Sequence, residues 1–374
     1  MKKLGIVSYN IYGNFTNYGS ALQSWALSKT LDRIGVEKGF ETWLVDYCPA
    51  VHLDKDILNP IKHMWDQDEQ SIRYCELTLP AIRENYYKFD KFYKERFRKT
   101  NTHYTFENFA DIIQNDDIER FVCGSDTIFC TLEFNGFDDG YFANYPCMQG
   151  NAISYAASFG DATFDDETYP VLNKRLQNFK ALGVRESKFV PYIQDNTTIP
   201  CKKTIDPTLT LTSDDYDTIA VERLIDDKYI LLYARRYNQK MFEFADKMSK
   251  EKGYKIIDIS LRAESLKDTH EPWYKAGVEE FLSLVKHAEF VVTNSFHGLI
   301  FAVQYKRPFV VFTREQAGSK IDELLDLFGL KSQMLVDGSE VYETNIDYQQ
   351  VHARIDKARG ESIEFLTTSL DKIL

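Results

Sequence analysis

His297 is the side chain in this sequence that is best placed to do acid–base chemistry. It follows an apolar run, residues 290–292, whose aromatic and β-branched types are typical of a parallel strand covered on both faces. Residues 293–295 are Thr, Asn and Ser, which cap helices, and apolar residues recur at helical spacing from Leu299. The start of such a helix offers free N–H groups and the positive end of the helix dipole. The segment therefore predicts a site for a phosphate or carboxylate with an acid–base group beside it.

A structural role for His297 fits the same residues. Histidines near a helix start often cap the helix or make a half-buried hydrogen bond, and strand-to-helix turns occur throughout α/β proteins. The segment alone favours neither interpretation, so the other polar groups of the chain must decide.

Acidic and hydroxyl side chains follow other predicted strands. Ser125 and Asp126 come directly after the apolar run 121–123. Asp126 could orient or deprotonate a hydroxyl group, but an aspartate that caps a loop would look the same. Asp206 precedes Pro207 and is interpreted as a structural turn residue.

The loop after the first predicted strand is rich in Asn, Tyr and Gly. Asn14, Asn17 and Tyr18 have side chains of the right type to contact sugar hydroxyls. Asn and Gly also form turns without any ligand, so the composition of the loop leaves both roles open.

Strand and helix patterns alternate along the chain. The first unit is a strand at 5–9, a helix that Gly35 is predicted to end, and a strand at 42–47. After a connection within 206–228 the alternation restarts. The sequence therefore predicts an α/β protein with two Rossmann-like domains facing a cleft, residues 1–205 and 206–374, with ligands at the carboxyl ends of the strands. The final helix is expected to pack back on the first domain.

A helical insertion is predicted at about residues 51–118. Within it a helix from Pro80 to Lys99 mixes aromatic and basic residues. This pattern fits either a lid over an anionic sugar or an amphipathic helix with a solvated charged face, and we favour the second interpretation.

Size and composition exclude several classes of protein. A chain of 374 residues is long enough for two cores. Its net charge of −12 opposes non-specific binding to nucleic acid and requires a local cationic pocket for any anionic substrate. No apolar stretch is long enough to span a membrane or to form a signal peptide. The 6 cysteines include no CxxC pair, so we expect free thiols and no protein-built metal site.

Six separated motifs resemble the polysaccharide pyruvyl transferase family. They are, in order, Asn17-Tyr18-Gly19 with Leu22-Gln23, Gly124-Ser125-Asp126, residues 154–160 (SYAASFG), Gly183-Val184-Arg185-Glu186, Asp206-Pro207-Thr208, and residues 293–298 (TNSFHG) followed by Lys306-Arg307-Pro308-Phe309. The resemblance covers nearly the whole chain. It implies a two-domain fold like that of GT-B glycosyltransferases, with the acceptor on the first domain and the donor on the second. It also implies transfer of pyruvate from phosphoenolpyruvate to sugar hydroxyls, as a ketal on a surface polysaccharide unit.

The resemblance also implies roles for single residues. His297 matches the family histidine beside the donor, and Arg185 matches an arginine that holds the donor carboxylate or phosphate. Gly298 belongs to the same helix start. Ser295 stands where some members have an arginine, so a charge is missing there. It must come from another basic residue, or the donor differs; the candidates are Arg235, Arg236, Lys306 and Arg307.

The expected partners are phosphoenolpyruvate, as co-substrate and with no cofactor, and a glycan acceptor. We expect a cytoplasmic protein, which would work at the inner face of the membrane if the acceptor is lipid-linked. The sequence does not specify the acceptor sugar or the oligomeric state. Two alternatives stay open: a GT-B glycosyltransferase that uses a nucleotide-sugar, and a glycan- or anion-binding relative that has lost catalysis.

Overall fold

The first half of the chain is built on a six-stranded parallel sheet. The structure, a computed structural model, describes residues 1–13, 15–64, 66–260, 270–313 and 318–374. The strands of the first sheet are β1 (Lys2–Val7), β2 (Phe40–Leu44), β3 (Ile118–Cys123), β4 (Ala152–Ala157), β5 (Phe179–Val184) and β6 (Cys201–Lys203), in the order β2-β1-β3-β4-β5-β6. Its helices are α1 (Tyr18–Lys38), α2 (Glu69–Arg96), α3 (Ile112–Asp116), α4 (Thr168–Leu176) and α5 (Phe189–Asn196).

The second half repeats this architecture. Its strands are β7 (Tyr229–Tyr233), β8 (Lys255–Asp258), β9 (His270–Pro272), β10 (Phe290–Thr293), β11 (Phe309–Phe312) and β12 (Met334–Leu335), in the order β12-β11-β10-β7-β8-β9. Its helices are α6 (Ser213–Asp217), α7 (Gln239–Lys252), α8 (Val278–Lys286), α9 (Phe296–Gln304), α10 (Gly318–Phe328) and α11 (Tyr348–Leu370). Every residue of β4, β7 and β11 is buried, as expected for central parallel strands with helices on both faces. The predicted fold class is confirmed.

An apolar core continues from one half into the other. Helix α1 packs on α8 and α9, and its first residue, Tyr18, stacks on Phe281 of α8 with ring centroids 4.7 Å apart. Trp25 of α1 lies against Tyr216 of α6, at 5.6 Å between ring centroids. Burial of aromatic pairs of this kind fixes α1 between the two sheets.

Helix α11 lies across both halves. It contacts α10 of the second half and strands β4 and β5 of the first. Ser362 Oγ accepts a hydrogen bond from the Ile205 backbone N–H at 3.1 Å, and Lys2 Nζ donates to the Leu374 carbonyl at 2.7 Å. Helix α11 therefore packs on the first sheet as well as on the second half.

Helix α1 is longer than predicted. It continues through Gly35 to Lys38, and Gly39 caps it with φ of 78° in the left-handed region. Gly35 is needed for a different reason, because a Cβ there would lie 2.5 Å from the Phe40 carbonyl oxygen. Gly35 was predicted to end the helix, but it is a glycine because the chain packs too closely there for a side chain.

Helix α2 also begins earlier than predicted, at Glu69 with Asp68 as its N-cap, and Pro80 lies inside it. Pro80 is exposed, so water can bind the carbonyl group that loses its helical donor. The helix is amphipathic, as we favoured, but its basic face is not simply solvated. Lys88 donates to Glu280 Oε2 at 2.8 Å, and Arg96 pairs with Glu279, so α2 is joined to α8 across the cleft.

Among the described residues, no helix is both long enough and apolar enough to cross a membrane.

Candidate active site

A cavity of about 700 Å³ lies between the two sheets. Residues that follow the carboxyl ends of five strands line it: Tyr9 after β1, Asp126 after β3, Arg185 after β5, Arg235 after β7 and Ser295 after β10. Helix α2 closes one side. This is the position where open α/β sheets bind their ligands.

Arg185 and His297 come from different halves and meet on one carboxylate at the edge of the cavity. Arg185 Nη2 pairs with Asp206 Oδ2, and His297 Nε2 lies 3.4 Å from the same oxygen. The Asp206 side chain is fully buried, and the side chains of Arg185 and His297 are 6% and 7% exposed. A guanidinium and an imidazole therefore share one buried carboxylate, which sets the distance between them.

Asp126 is held on the other side of the guanidinium. Its Oδ1 lies 3.5 Å from Arg185 Nη1, and its Oδ2 accepts a hydrogen bond from Ser20 Oγ at 2.7 Å. Ser125 lies behind Arg185: its Oγ accepts from Nη2 at 2.7 Å and donates to the Ala156 carbonyl at 2.6 Å. Asp206, Asp126 and Ser125 thus together fix the orientation of the guanidinium. Its Nη1 is the nitrogen that faces Asp126.

The two aspartates are ionised for the same physical reason. Burial by itself would raise the pKa of Asp206, but Arg185 and His297 outweigh it and hold that pKa well below the ordinary value. Burial likewise opposes ionisation of Asp126, yet Arg185, His297 and Lys320 lower its pKa. Both carboxylates therefore stay charged at neutral pH.

The imidazole of His297 is positioned by helix α9 and by helix α1. Ser295 is the N-cap of α9, and its Oγ accepts from the Gly298 N–H at 3.2 Å. The N–H groups of Phe296 and His297 have no acceptor within the helix, as at any helix start. On the opposite side the ring touches Gly19, where a Cβ would lie 1.9 Å from Nδ1.

Other residues predicted for the site also line the cavity, but the side chains of two of them already make hydrogen bonds to the backbone. Asn17 accepts from the Gly19 N–H at 3.0 Å as the N-cap of α1, and Tyr18 donates its hydroxyl proton to the Ala276 carbonyl at 2.8 Å. Arg235 and Arg236 both border the cavity; Arg235 is exposed, and Arg236 Nη1 lies 4.0 Å from Asp66.

Three predicted residues, Ser125, Gly298 and Lys306, are placed differently. Ser125 is fully buried and is not among the residues that line the cavity. The Gly298 N–H is used by Ser295, so this group is not free for a ligand. Lys306 lines a separate depression together with Arg307, Lys286 and Asp217, and not the cavity. Asn14 lies outside the described residues.

The residues in or beside the cavity that were not predicted for the site include Asp206, Lys55, Glu133 and Lys320. Asp206 was predicted to be a turn residue, and its Oδ1 does accept a hydrogen bond from the Thr208 N–H at 2.9 Å. Nothing in the sequence indicated that Oδ2 would contact both Arg185 and His297. Lys55, Glu133 and Lys320 line the cavity. They were missed because they lie outside the strand-to-helix turns from which the site residues were predicted. Within the part of the chain that the structure describes, no group of three or more His, Cys, Asp or Glu side chains could hold a metal ion.

The family model for polysaccharide pyruvyl transferase matches residues 17–316 of the chain. The chain belongs to the polysaccharide pyruvyl transferase family. The match includes the segments that supply Asp126, Arg185, Asp206 and His297, so the residues that meet at the cavity all lie inside the family region.

Solved structures similar to this transferase have low sequence identity. A UDP-GlcNAc 2-epimerase from Neisseria meningitidis bound to UDP-GlcNAc is 10% identical, with 100% of both chains covered and a TM-score of 0.51. The S. aureus MnaA–UDP co-structure is 15% identical, covers 96% of this chain and 88% of that chain, and has a TM-score of 0.49. No curated protein matches the chain. Similarity at this level concerns the fold alone, which is a two-domain α/β fold of the GT-B type.

Proposed function

We propose that this member of the family transfers pyruvate from phosphoenolpyruvate to two hydroxyls of one sugar, forming a cyclic ketal and releasing phosphate. The observation that carries the proposal is the meeting of Arg185 and His297 on Asp206, at the wall of a cavity that both halves line. Family membership supports the reaction class. The chemistry needs no cofactor beyond the donor itself.

The donor carries a phosphate and a carboxylate, and the chain has a net charge of −12, so binding must depend on local cations. Arg235, Arg236 and Lys320 from the second half line the cavity together with Arg185. The free N–H groups at the start of α9 add a favourable dipole. Since Lys306 and Arg307 lie in a separate depression, Arg235 and Arg236 are the better candidates to supply the charge that Ser295 lacks.

His297 acts as the acid. Its imidazolium donates a proton to the methylene carbon of the donor, which makes the neighbouring carbon electrophilic. The first sugar hydroxyl attacks that carbon, phosphate leaves with the electron pair of the broken C–O bond, and the second hydroxyl closes the ring. Asp206, held ionised beside the ring, stabilises the charged imidazolium and keeps it oriented toward the cavity.

The acceptor binds against aromatic side chains of the cavity. The lining includes Tyr12, Phe15, Tyr74 and Tyr93, and aromatic rings pack well against the apolar faces of sugars. A volume of about 700 Å³ exceeds what a three-carbon acid needs and suits a donor together with a sugar unit.

The test is a pair of measurements on the intact protein. Thermal stability is compared in phosphoenolpyruvate, UDP and inorganic phosphate, since a ligand of the native state raises the melting temperature. Phosphate release from phosphoenolpyruvate is then followed with simple p-nitrophenyl hexopyranosides that offer a free 4,6-diol. We expect stabilisation by phosphoenolpyruvate and a ketal product. Stabilisation by UDP and not by phosphoenolpyruvate would instead favour a nucleotide-sugar transferase.

A further inference from the structure

Asp126 is poorly suited to deprotonate the acceptor. Its Oδ2 accepts from Ser20 and its Oδ1 faces Arg185, so both oxygens are engaged. Although burial opposes it, the cations Arg185, His297 and Lys320 lower the pKa of this carboxyl, which makes it a weak base. The proposed reaction must nevertheless remove a proton from each of two hydroxyls.

Glu133 is a second carboxylate on the same wall and has the opposite environment. Tyr9 donates its phenol proton to Oε2, and Thr127 Oγ1 donates to the same oxygen at 2.8 Å. Tyr9 and Thr127 are themselves 3.1 Å apart, so the three side chains form a closed triangle. Among the described residues no hydrogen bond or ion pair engages Oε1, and the side chain is exposed to the cavity. One oxygen is therefore fixed while the other stays free for a ligand.

The electrostatics of Glu133 support a proton-accepting role. Although the side chain is open to the cavity, the protein around it leaves the carboxylate less hydrated than in free solution, which raises its pKa above the ordinary value of 4.5; the negative charge of Asp126 adds to this effect. A carboxylate with a raised pKa is a stronger base, closer to the pKa that favours proton transfer near neutral pH. The environments of Asp126 and Glu133 thus push their pKa values in opposite directions, and Glu133 is the one suited to accept a proton.

We propose that Glu133 Oε1 accepts the proton of the attacking sugar hydroxyl, with Tyr9 and Thr127 as positioning residues and Asp126 confined to orienting Arg185. As the sugar oxygen bonds to the donor carbon, its O–H bond breaks and the proton passes to Oε1. Glu133 then gives this proton to solvent, and it takes the proton of the second hydroxyl in the same way. The departing phosphate takes up one proton, and the donor methylene takes the other from His297, so two protons leave the sugar and two are taken up.

This inference rests on the proposed function and is tested by Glu133→Gln, which keeps the shape of the side chain but cannot accept the proton. We expect phosphate release from phosphoenolpyruvate, measured with water and with the hexopyranoside panel as acceptors, to fall by about 10²–10⁴-fold. Stabilisation by phosphoenolpyruvate should persist. Glu107→Gln, an exposed carboxylate outside the cavity, is the matched control and should keep wild-type turnover. If Glu133→Gln does not fold, Glu133→Asp, with a retracted carboxylate, is compared in its place.

A pH profile separates a base from a merely structural residue. Tyr9→Phe removes one donor to Oε2, and since this hydrogen bond lowers the pKa of Glu133, the acidic limb of kcat/KM should move to higher pH. Glu133→Gln should lose that limb. Turnover of Glu133→Gln within about threefold of wild type, or an unmoved limb in Tyr9→Phe, would overturn the role of Glu133 alone. A wild-type protein that neither binds nor consumes phosphoenolpyruvate would overturn the proposed function as well.

Discussion

Gly19, at the start of helix α1, lies directly against the imidazole of His297, and a Cβ at this position would lie 1.9 Å from Nδ1 and 2.4 Å from Cγ. The two residues lie in helices of different halves, α1 and α9. The absence of a side chain at position 19 is therefore what allows the histidine of the second half to reach the carboxylate that it shares with Arg185.

Gly19→Ala is expected to displace His297 and to reduce pyruvyl transfer by about 10²-fold, at the lower end of the range for loss of an acid. An alanine in a helix is intrinsically better than glycine by about 0.5–1 kcal/mol, so any loss of stability would come from the clash. The matched control is Gly360→Ala in α11, where a Cβ meets nothing within 4 Å. That variant should gain stability and keep full turnover; equal behaviour of the two variants would contradict the steric argument.

His297→Ala should abolish transfer, with a fall in kcat of about 10²–10⁴-fold, because the donor carbon loses its proton source. Cooperative unfolding near the wild-type melting temperature should persist. His287→Ala serves as the control, since His287 lines the separate depression with Lys306. Turnover near that of wild type in a folded His297→Ala protein would refute the assignment.

Arg185→Ala should destabilise the fold as well as the reaction. Removing the guanidinium leaves the buried carboxylates of Asp206 and Asp126 without their main counter-charge, which typically costs about 3–5 kcal/mol. Urea denaturation measures this directly. The double variant Arg185→Ala/Asp206→Ala should be less destabilised than the sum of the two single variants. Additive losses would show that the pair is not coupled.

Stability should decline in acid because of the same carboxylates. The pKa of Asp206 and that of Asp126 are both held below 3.8 in the folded protein, so near pH 3 the unfolded chain binds protons that the folded chain does not. The contribution of these groups is therefore present above about pH 4 and is lost as the pH falls through their folded pKa values. Melting temperatures from about pH 6 to pH 3 should show this decline, with a shallower slope in Asp206→Asn. An identical slope in that variant would place the acid sensitivity elsewhere.

Arg235→Ala and Lys306→Ala should separate the two basic clusters. Arg235 lines the cavity and Lys306 does not. A hydrogen bond to a charged group contributes roughly 1.5–3 kcal/mol, so calorimetry should show phosphoenolpyruvate binding weakened by about tenfold or more in Arg235→Ala. Lys306→Ala should bind as wild type does. If only Lys306→Ala weakened phosphoenolpyruvate binding, the donor would have to bind in the depression that Lys306 lines.

The sequence predicted well whatever depends on local pattern. The apolar runs 121–123 and 290–292 lie in β3 and β10 as expected, since a run of apolar residues between turn signals has few other solutions. The strands predicted at 5–9 and 42–47 exist but begin and end two to three residues earlier, as Lys2–Val7 and Phe40–Leu44. Helix ends were harder. Gly35 and Pro80 have the residue types of a helix stop and a helix start, but packing against Phe40 and exposure to solvent decide their roles in the fold.

The prediction of the site divides in the same way. Arg185 and His297 follow strands and belong to motifs, so their position at the strand ends was predictable. That both contact Asp206 Oδ2 depends on how the two sheets pack, which no short segment encodes. Glu133 lies in a stretch between β3 and β4 that has neither helix nor strand, so no periodic signal marked it. Lys306 is the opposite case. It lies in a family motif and was predicted for the site, but it lines the separate depression instead of the cavity.

Asp206 lies in the covalent link between the two sheets, just after β6 and before the second half begins. This residue is thus part of the segment that connects the two halves, and its carboxylate also binds the guanidinium of Arg185 and the imidazole of His297. Any twist of one sheet relative to the other would pull the proton source away from its counter-ion without disturbing either sheet internally. If the proposed mechanism holds, the angle between the two halves therefore controls the reaction, and the ion pairs of Lys88 and Arg96 with α8 help to set that angle.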